Sequence, residues 1–113
     1  MNNYLDGFDR QEATLRTTTT IKSGAVVGVT NNFTVKTAPN TTKPVGVCTY
    51  CDGSKASVLL KGYAEVSYTG DTPAFGVVSI VGNGSGGIKT DASGRQVIVI
   101  AVDTAKMTCG IIL

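Results

Sequence analysis

From Ala13 onward the chain is built of Val and Thr, and Gly or Pro interrupts it at intervals too short to leave room for long helices. Side chains branched at Cβ are stiff at χ1 and suit extended backbone. With 14 Gly and 3 Pro in 113 residues, each extended run must be short. Runs of this kind, at roughly 8 to 12 residue spacing and without a helical period, predict a small all-β barrel or sandwich, of the β-tulip or SH3-like kind. One such domain accounts for the length, and it buries about two-thirds of its unfolded surface without needing a metal or disulfide.

Turn chemistry divides the chain. Residues 17–21 predict a first β segment, turned by Lys22-Ser23-Gly24 into a second over residues 25–29. Asn31-Asn32 follows as a two-residue hairpin turn, since Asn tolerates positive φ. Residues 44–50 form the next strand, closed by Cys51-Asp52-Gly53-Ser54, and residues 56–60 and 62–68 a continuous or Gly-bent pair. In the latter Ala64, Val66 and Tyr68 alternate with Tyr63, Glu65 and Ser67, a period of two that implies one buried side. Residues 76–81 extend again, and the Gly-rich residues 82–87 make the most flexible loop. After a turn at residues 91–94, residues 96–102 are apolar at nearly every position and predict a central strand buried on both faces. Residues 107–113 form the last strand.

Residues 1–12 differ from the rest. Three acids, one Arg and one Gln surround Tyr4, Leu5 and Phe8 without a sustained period. This segment reads as a flexible N-terminal arm preceding a barrel domain of residues 13–113. Tyr4, Leu5, Phe8 and Arg10 are its candidate contact residues, because apolar groups in a segment too short for its own core gain most by meeting a partner.

The composition removes several function classes. Without His, the usual general base is missing, and Ser, Thr and Cys lie in turns or strands with no adjacent base, so an enzyme is not expected. Asp52, Asp71, Asp91 and Asp103 occupy turn positions where Asp caps its own backbone. Cys48-Thr-Tyr-Cys51 has the spacing of half a zinc site, but Cys109 supplies only a third ligand, so neither a metal nor another cofactor is expected. The loop 82–87 lacks the Lys-Ser/Thr ending and following helix of a phosphate site, and Asp6-Gly7-Phe8-Asp9 has no bidentate Glu at the twelfth position of a Ca²⁺ loop. Ten basic and eight acidic residues, net +2, are scattered singly, which argues against a nucleic-acid partner. No apolar run approaches a membrane span. The acidic start lacks the features of a secretory signal, so synthesis and retention in a cytosol are expected. There the Asn-x-Ser/Thr triplets at Asn32, Asn40 and Asn83 are without consequence, and the cysteines stay reduced.

One succession of motifs goes further. Ile21-Lys-Ser-Gly24-Ala-Val-Val, then Val45-Gly-Val, then Leu60-Lys-Gly62-Tyr-Ala-Glu-Val66, then Gly70-Asp71, and finally residues 97–102 with 107–113 resembles the capsid decoration, or cement, proteins of tailed bacteriophages. The resemblance spans residues 17–113 and rests on order and spacing. It implies a non-enzymatic virion protein, made in the host bacterial cytoplasm. Such a protein binds the outside of the expanded head, often as a trimer, and bridges major capsid protein subunits, with an N-terminal arm that orders on the capsid. The competing expectation is a fibre, baseplate or host-surface adhesin module binding carbohydrate or protein through its loops. A β-barrel enzyme or ligand carrier with an internal polar cavity ranks third.

Thiol titration of denatured protein is expected to report three thiols, and metal analysis of purified protein no stoichiometric zinc.

Overall fold

A computed structural model describes residues 10–113, and over that span the chain is all-β. Ten strands follow one another: β1 (Gln11–Arg16), β2 (Val26–Asn31), β3 (Thr34–Thr37), β4 (Gly46–Cys51), β5 (Lys55–Lys61), β6 (Tyr63–Ser67), β7 (Gly76–Gly82), β8 (Ile88–Thr90), β9 (Arg95–Asp103) and β10 (Thr108–Ile112). The first five close into a barrel in the order β1-β3-β2-β4-β5, and the last five form a second sheet in the order β6-β10-β9-β7-β8. Closure comes from β1, which runs antiparallel to β5 and meets β3 in a short parallel contact, Arg16 opposite Thr34.

Two hydrophobic clusters result. Ile21, Ala25, Val27, Val35, Cys48, Ala56 and Val58 fill the barrel. Val26, Ala38, Val47 and Leu59 point out of it and meet Ala64, Val66, Tyr68, Ile80, Ile88, Val97, Val99, Cys109 and Ile111, the inner face of the second sheet. Successive side chains in a strand point to opposite faces. Val26/Val27, Val47/Cys48 and Val58/Leu59 therefore each send one residue to each cluster. Gly46 precedes the β4 pair because a Cβ there would collide with the Leu59 carbonyl and the Val58 side chain.

The two sheets are also tied by main chain. Gly82 donates to the Thr42 carbonyl at 2.8 Å and accepts from the Thr41 N–H at 2.9 Å. Val26 donates to the Gly86 carbonyl at 2.9 Å, and within the second sheet Tyr68, just past β6, forms a parallel bridge with Ile88 of β8. The loop at residues 82–87, expected to be the most flexible, is thereby pinned. Asn83 holds it from within, its Oδ1 accepting from the Ser85 and Gly87 N–H groups.

Three other expectations are corrected. Residues 17–21 are not a strand: the Thr17 hydroxyl donates to the Thr19 carbonyl and its oxygen accepts the Thr19 N–H, a local bonding that competes with a ladder. The first strand lies earlier, over Gln11–Arg16, so Gln11 and Glu12 belong to the barrel and not to the arm. Leu15 packs against the barrel core, and Ala13 with Leu15 supplies the short alternation that sets this strand's face. The β2–β3 turn sits one residue later than expected, on Asn32-Phe33, because Asn31 pairs with Thr34, and the positive φ of 54° falls on Phe33. The expected alternation in β6 and the Gly62 bend before it are both present; Gly62 has φ 124°.

The third correction concerns β9. It is central, flanked by β10 and β7, but only one of its faces is buried: Val97 and Val99 face the core while Ile98 and Ile100 face out. Replacing Val99, 1% exposed, by Asp buries an unpaired charge at a cost of several kcal/mol, which lowers Tm by more than about 10 °C. The same replacement at Ile98 is expected to shift Tm by only a few degrees, and thermal melts followed by circular dichroism compare the two.

Candidate interaction surface

The outer face of the second sheet carries a row of apolar side chains across four strands. Val77 of β7 pairs with Ile98 of β9, Ile98 with Ile112 of β10, and Ile112 with Tyr63 of β6. Cross-strand partners project on the same side, so the row is continuous. Exposure is 67% at Val77, 43% at Ile98 and 44% at Ile100, with Phe75 just before β7 at 72%. A register shift between Gly110 and Ile111 interrupts the β9–β10 ladder beside Ile100. The Tyr63 ring lies over Gly110, where any Cβ would strike it, so a glycine on the outer face makes the seat for an aromatic ring at one end of the row. Glu65, Asp103 and Lys106 surround the neighbouring concavity and give the patch a charged border. An apolar patch with a polar rim is the usual make-up of a docking surface.

Two loops add exposed apolar groups with unusual backbone. Phe33, 76% exposed, and Met107 both have φ 54°, a left-handed conformation uncommon for residues other than Gly, Asn and Asp. Phe33 borders a shallow hollow with Leu15, Arg16 and Lys55.

The polar residues serve the turns. Asp52 Oδ1 accepts from the Ser54 N–H, the Ser54 hydroxyl and the Lys55 N–H. Asp91 Oδ1 accepts from the Ser93 N–H and hydroxyl, and Asp103 Oδ1 from the Ala105 and Lys106 N–H groups. The bonds from the Ser54 and Lys55 backbones, then the Ser54 hydroxyl, hold the Asp52 carboxyl below its ordinary range. The Ser93 hydroxyl and N–H do the same for Asp91.

The three cysteines are free thiols, Cys48 and Cys51 at the barrel core and Cys109 in the core of the second sheet. Burial pushes the Cys48 thiol up, with the nearby Cys51 adding to it. Burial and then Glu65 push up Cys109. Cys51 Sγ accepts from the Ile21 and Gly53 N–H groups, each at 3.4 Å, and so fastens the irregular segment after β1. Among the described residues no group of three or more His, Cys, Asp or Glu side chains is placed to hold a metal ion, and no helix is long and apolar enough to cross a membrane.

Of the contact residues expected from sequence, Tyr4, Leu5 and Phe8 lie outside the described residues. Arg10 is exposed, 3.4 Å from Glu12. The apolar row was missed in the sequence although its signal was present. Ile98 and Ile100 alternate with Val97 and Val99, and a sheet that packs one face on a barrel leaves the other set without cover. No family model matches the chain, and no curated protein matches it in sequence.

The lowered Asp52 and Asp91 carboxyls contribute stability above their unfolded-state pKa, and that contribution is lost as pH falls through the folded values. Wild-type Tm is therefore expected to drop more between pH 6 and pH 3 than that of a Asp52→Asn/Asp91→Asn variant, whose amides keep an acceptor but do not titrate. Calorimetric melts across that range read the difference.

Proposed function

We propose that this protein is a non-enzymatic structural module of a tailed-phage virion, which decorates the outside of the expanded capsid and bridges major capsid protein subunits. The observation that carries the reading is the apolar row Val77, Ile98, Ile112 and Tyr63, flanked by Ile100 and Phe75, on the outer face of the second sheet. A stiff, doubly packed β scaffold that spends large aliphatic side chains on an outward face is suited to docking on another protein. The motif order Gly24-Ala-Val-Val, Val45-Gly-Val, Gly62-Tyr-Ala-Glu-Val66 and Gly70-Asp71 supplies the class of partner by its resemblance to decoration proteins. On an icosahedral shell a modest contact repeats at every equivalent position. Copies joined around a local symmetry axis, as a trimer for example, then gain avidity without a deep pocket.

The adhesin reading has its own support in the outward aromatic at Tyr50, 65% exposed, with Phe33 at another loop.

The test is cosedimentation with heads assembled from tailed-phage major capsid protein. Binding to expanded heads and not to unexpanded proheads is expected. A Val77→Lys/Ile98→Lys variant, which places two charges in the row, is expected to bind at least tenfold more weakly with its fold intact by circular dichroism. Equal binding of variant and wild type removes the sheet face from the interface. Absence of binding to heads, with retention on a glycan array, moves the function to the adhesin class.

A further inference from the structure

Two cations face one another on the barrel wall. The β1–β5 ladder sets Arg16 directly opposite Lys55, and cross-strand partners project on the same side. Both side chains are exposed. Among the described residues neither has an ion-pair or side-chain hydrogen-bond partner. Asp52, the acid of the adjoining turn, holds the Ser54 and Lys55 N–H groups and feels the Lys55 charge only at longer range. Like charges placed directly opposite one another destabilise a ladder, and nothing within the described chain offsets the cost here.

Phe33 borders the same place. The Arg16 N–H donates to the Phe33 carbonyl at 2.7 Å, which fixes the β2–β3 turn against the end of β1. A bulky residue at positive φ is strained, and Phe33, at φ 54°, belongs to neither hydrophobic cluster. Its exposed ring is therefore held outward without a return from the core. Thr14, Leu15, Arg16, Phe33 and Lys55 together line a hollow of about 340 Å³, a size that small-ligand sites share. β1 and β3 send no side chain into the cluster between the sheets, so the second sheet leaves this wall uncovered.

We propose that this hollow binds a small anionic sugar, a carboxylate-bearing pyranose of the uronic acid class. The planar Arg16 guanidinium takes the carboxylate through paired N–H donors, and the Lys55 ammonium adds a second positive charge. The Phe33 ring, with its negative face, is a platform for the C–H face of the sugar. The Thr14 hydroxyl donates to or accepts from the ring hydroxyls. An anion between the two cations turns their repulsion into two attractions. An acidic peptide suits the place less well. At Arg16, β1 is paired on both sides, with Lys55 and with Thr34, so no strand edge is free for the main-chain bonds that peptides use. The proposal does not rest on the capsid reading, because the apolar row lies on the other sheet and the test contains no heads.

Titration of the isotope-labelled full chain with glucuronate, followed by amide chemical shifts in NMR, tests it. Saturable shifts are expected at Arg16, Phe33 and Lys55, with none at Val77 or Ile98. Glucose lacks the carboxylate and acetate lacks the ring, and each is expected to bind at least tenfold more weakly. Absence of saturable shifts up to about 50 mM glucuronate, well beyond a millimolar Kd, overturns the proposal, and so does equal binding of glucose or acetate. Saturable shifts with a glutamate-rich peptide and none with glucuronate make the occupant an acidic peptide and overturn it too. Lys55→Gln and Phe33→Asn are each expected to weaken glucuronate binding at least tenfold. Both variants relieve the free protein, one of like-charge opposition and the other of a bulky residue at positive φ, so Tm is expected to hold or rise. Undiminished affinity in either variant overturns the site.

Discussion

The architecture depends on three barrel strands that have no solvent side over their central residues. Val26/Val27 in β2, Val47/Cys48 in β4 and Val58/Leu59 in β5 are all buried, each pair sending one side chain into the barrel and one towards the second sheet. A strand in an isolated five-stranded barrel would alternate apolar with polar. Here the outward positions are apolar because the second sheet covers them. Each such side chain contributes about 1.5 to 3 kcal/mol on burial, so separating barrel from sheet would expose the centre of the molecule. The two sheets therefore fold as one unit.

That arrangement explains what was legible in the sequence and what was not. The all-β class followed from Val, Thr and Gly, and most turns from Gly and Asp, because these act through local backbone preferences. The period of two at Ala64, Val66 and Tyr68 was readable because β6 has one covered face. Residues 96–102 misled for a related reason: an unbroken apolar run looks the same whether both faces are buried or one faces outward. Pairing partners, and hence the free face of β9, depend on contacts distant in sequence. The early start of β1 was hidden because its alternation is only Ala13 and Leu15, and residues 17–21 looked extended because β-propensity says nothing of a hydroxyl closing a local ring.

The candidate surface is legible in hindsight from the same residues. Ile98, Ile100, Val77 and Ile112 would each be ordinary core residues in a two-layer sandwich. They are outward because the inner positions of the same strands already fill the space against the barrel. The scaffold's rigidity then matters for binding: side chains held by a ladder on one side and a core beneath lose little further freedom on docking. The turn-capping aspartates have a complementary effect, since their carboxylates are occupied with their own backbone and leave the outward face to the aliphatic groups.

Barrel closure by β1 has a consequence for the behaviour of the protein at high concentration. A closed barrel has no unpaired rim, and the short β8 is blunted where Tyr68 bridges to Ile88. Among the described residues, the liability of unpaired strands, which template fibril growth and misassembly, is therefore concentrated in the part of β6 around Glu65. Glu65 sits in the middle of that stretch, and a stack of identical edges would bring its carboxylate against its own copies. Like charge at this seam discourages open-ended polymers.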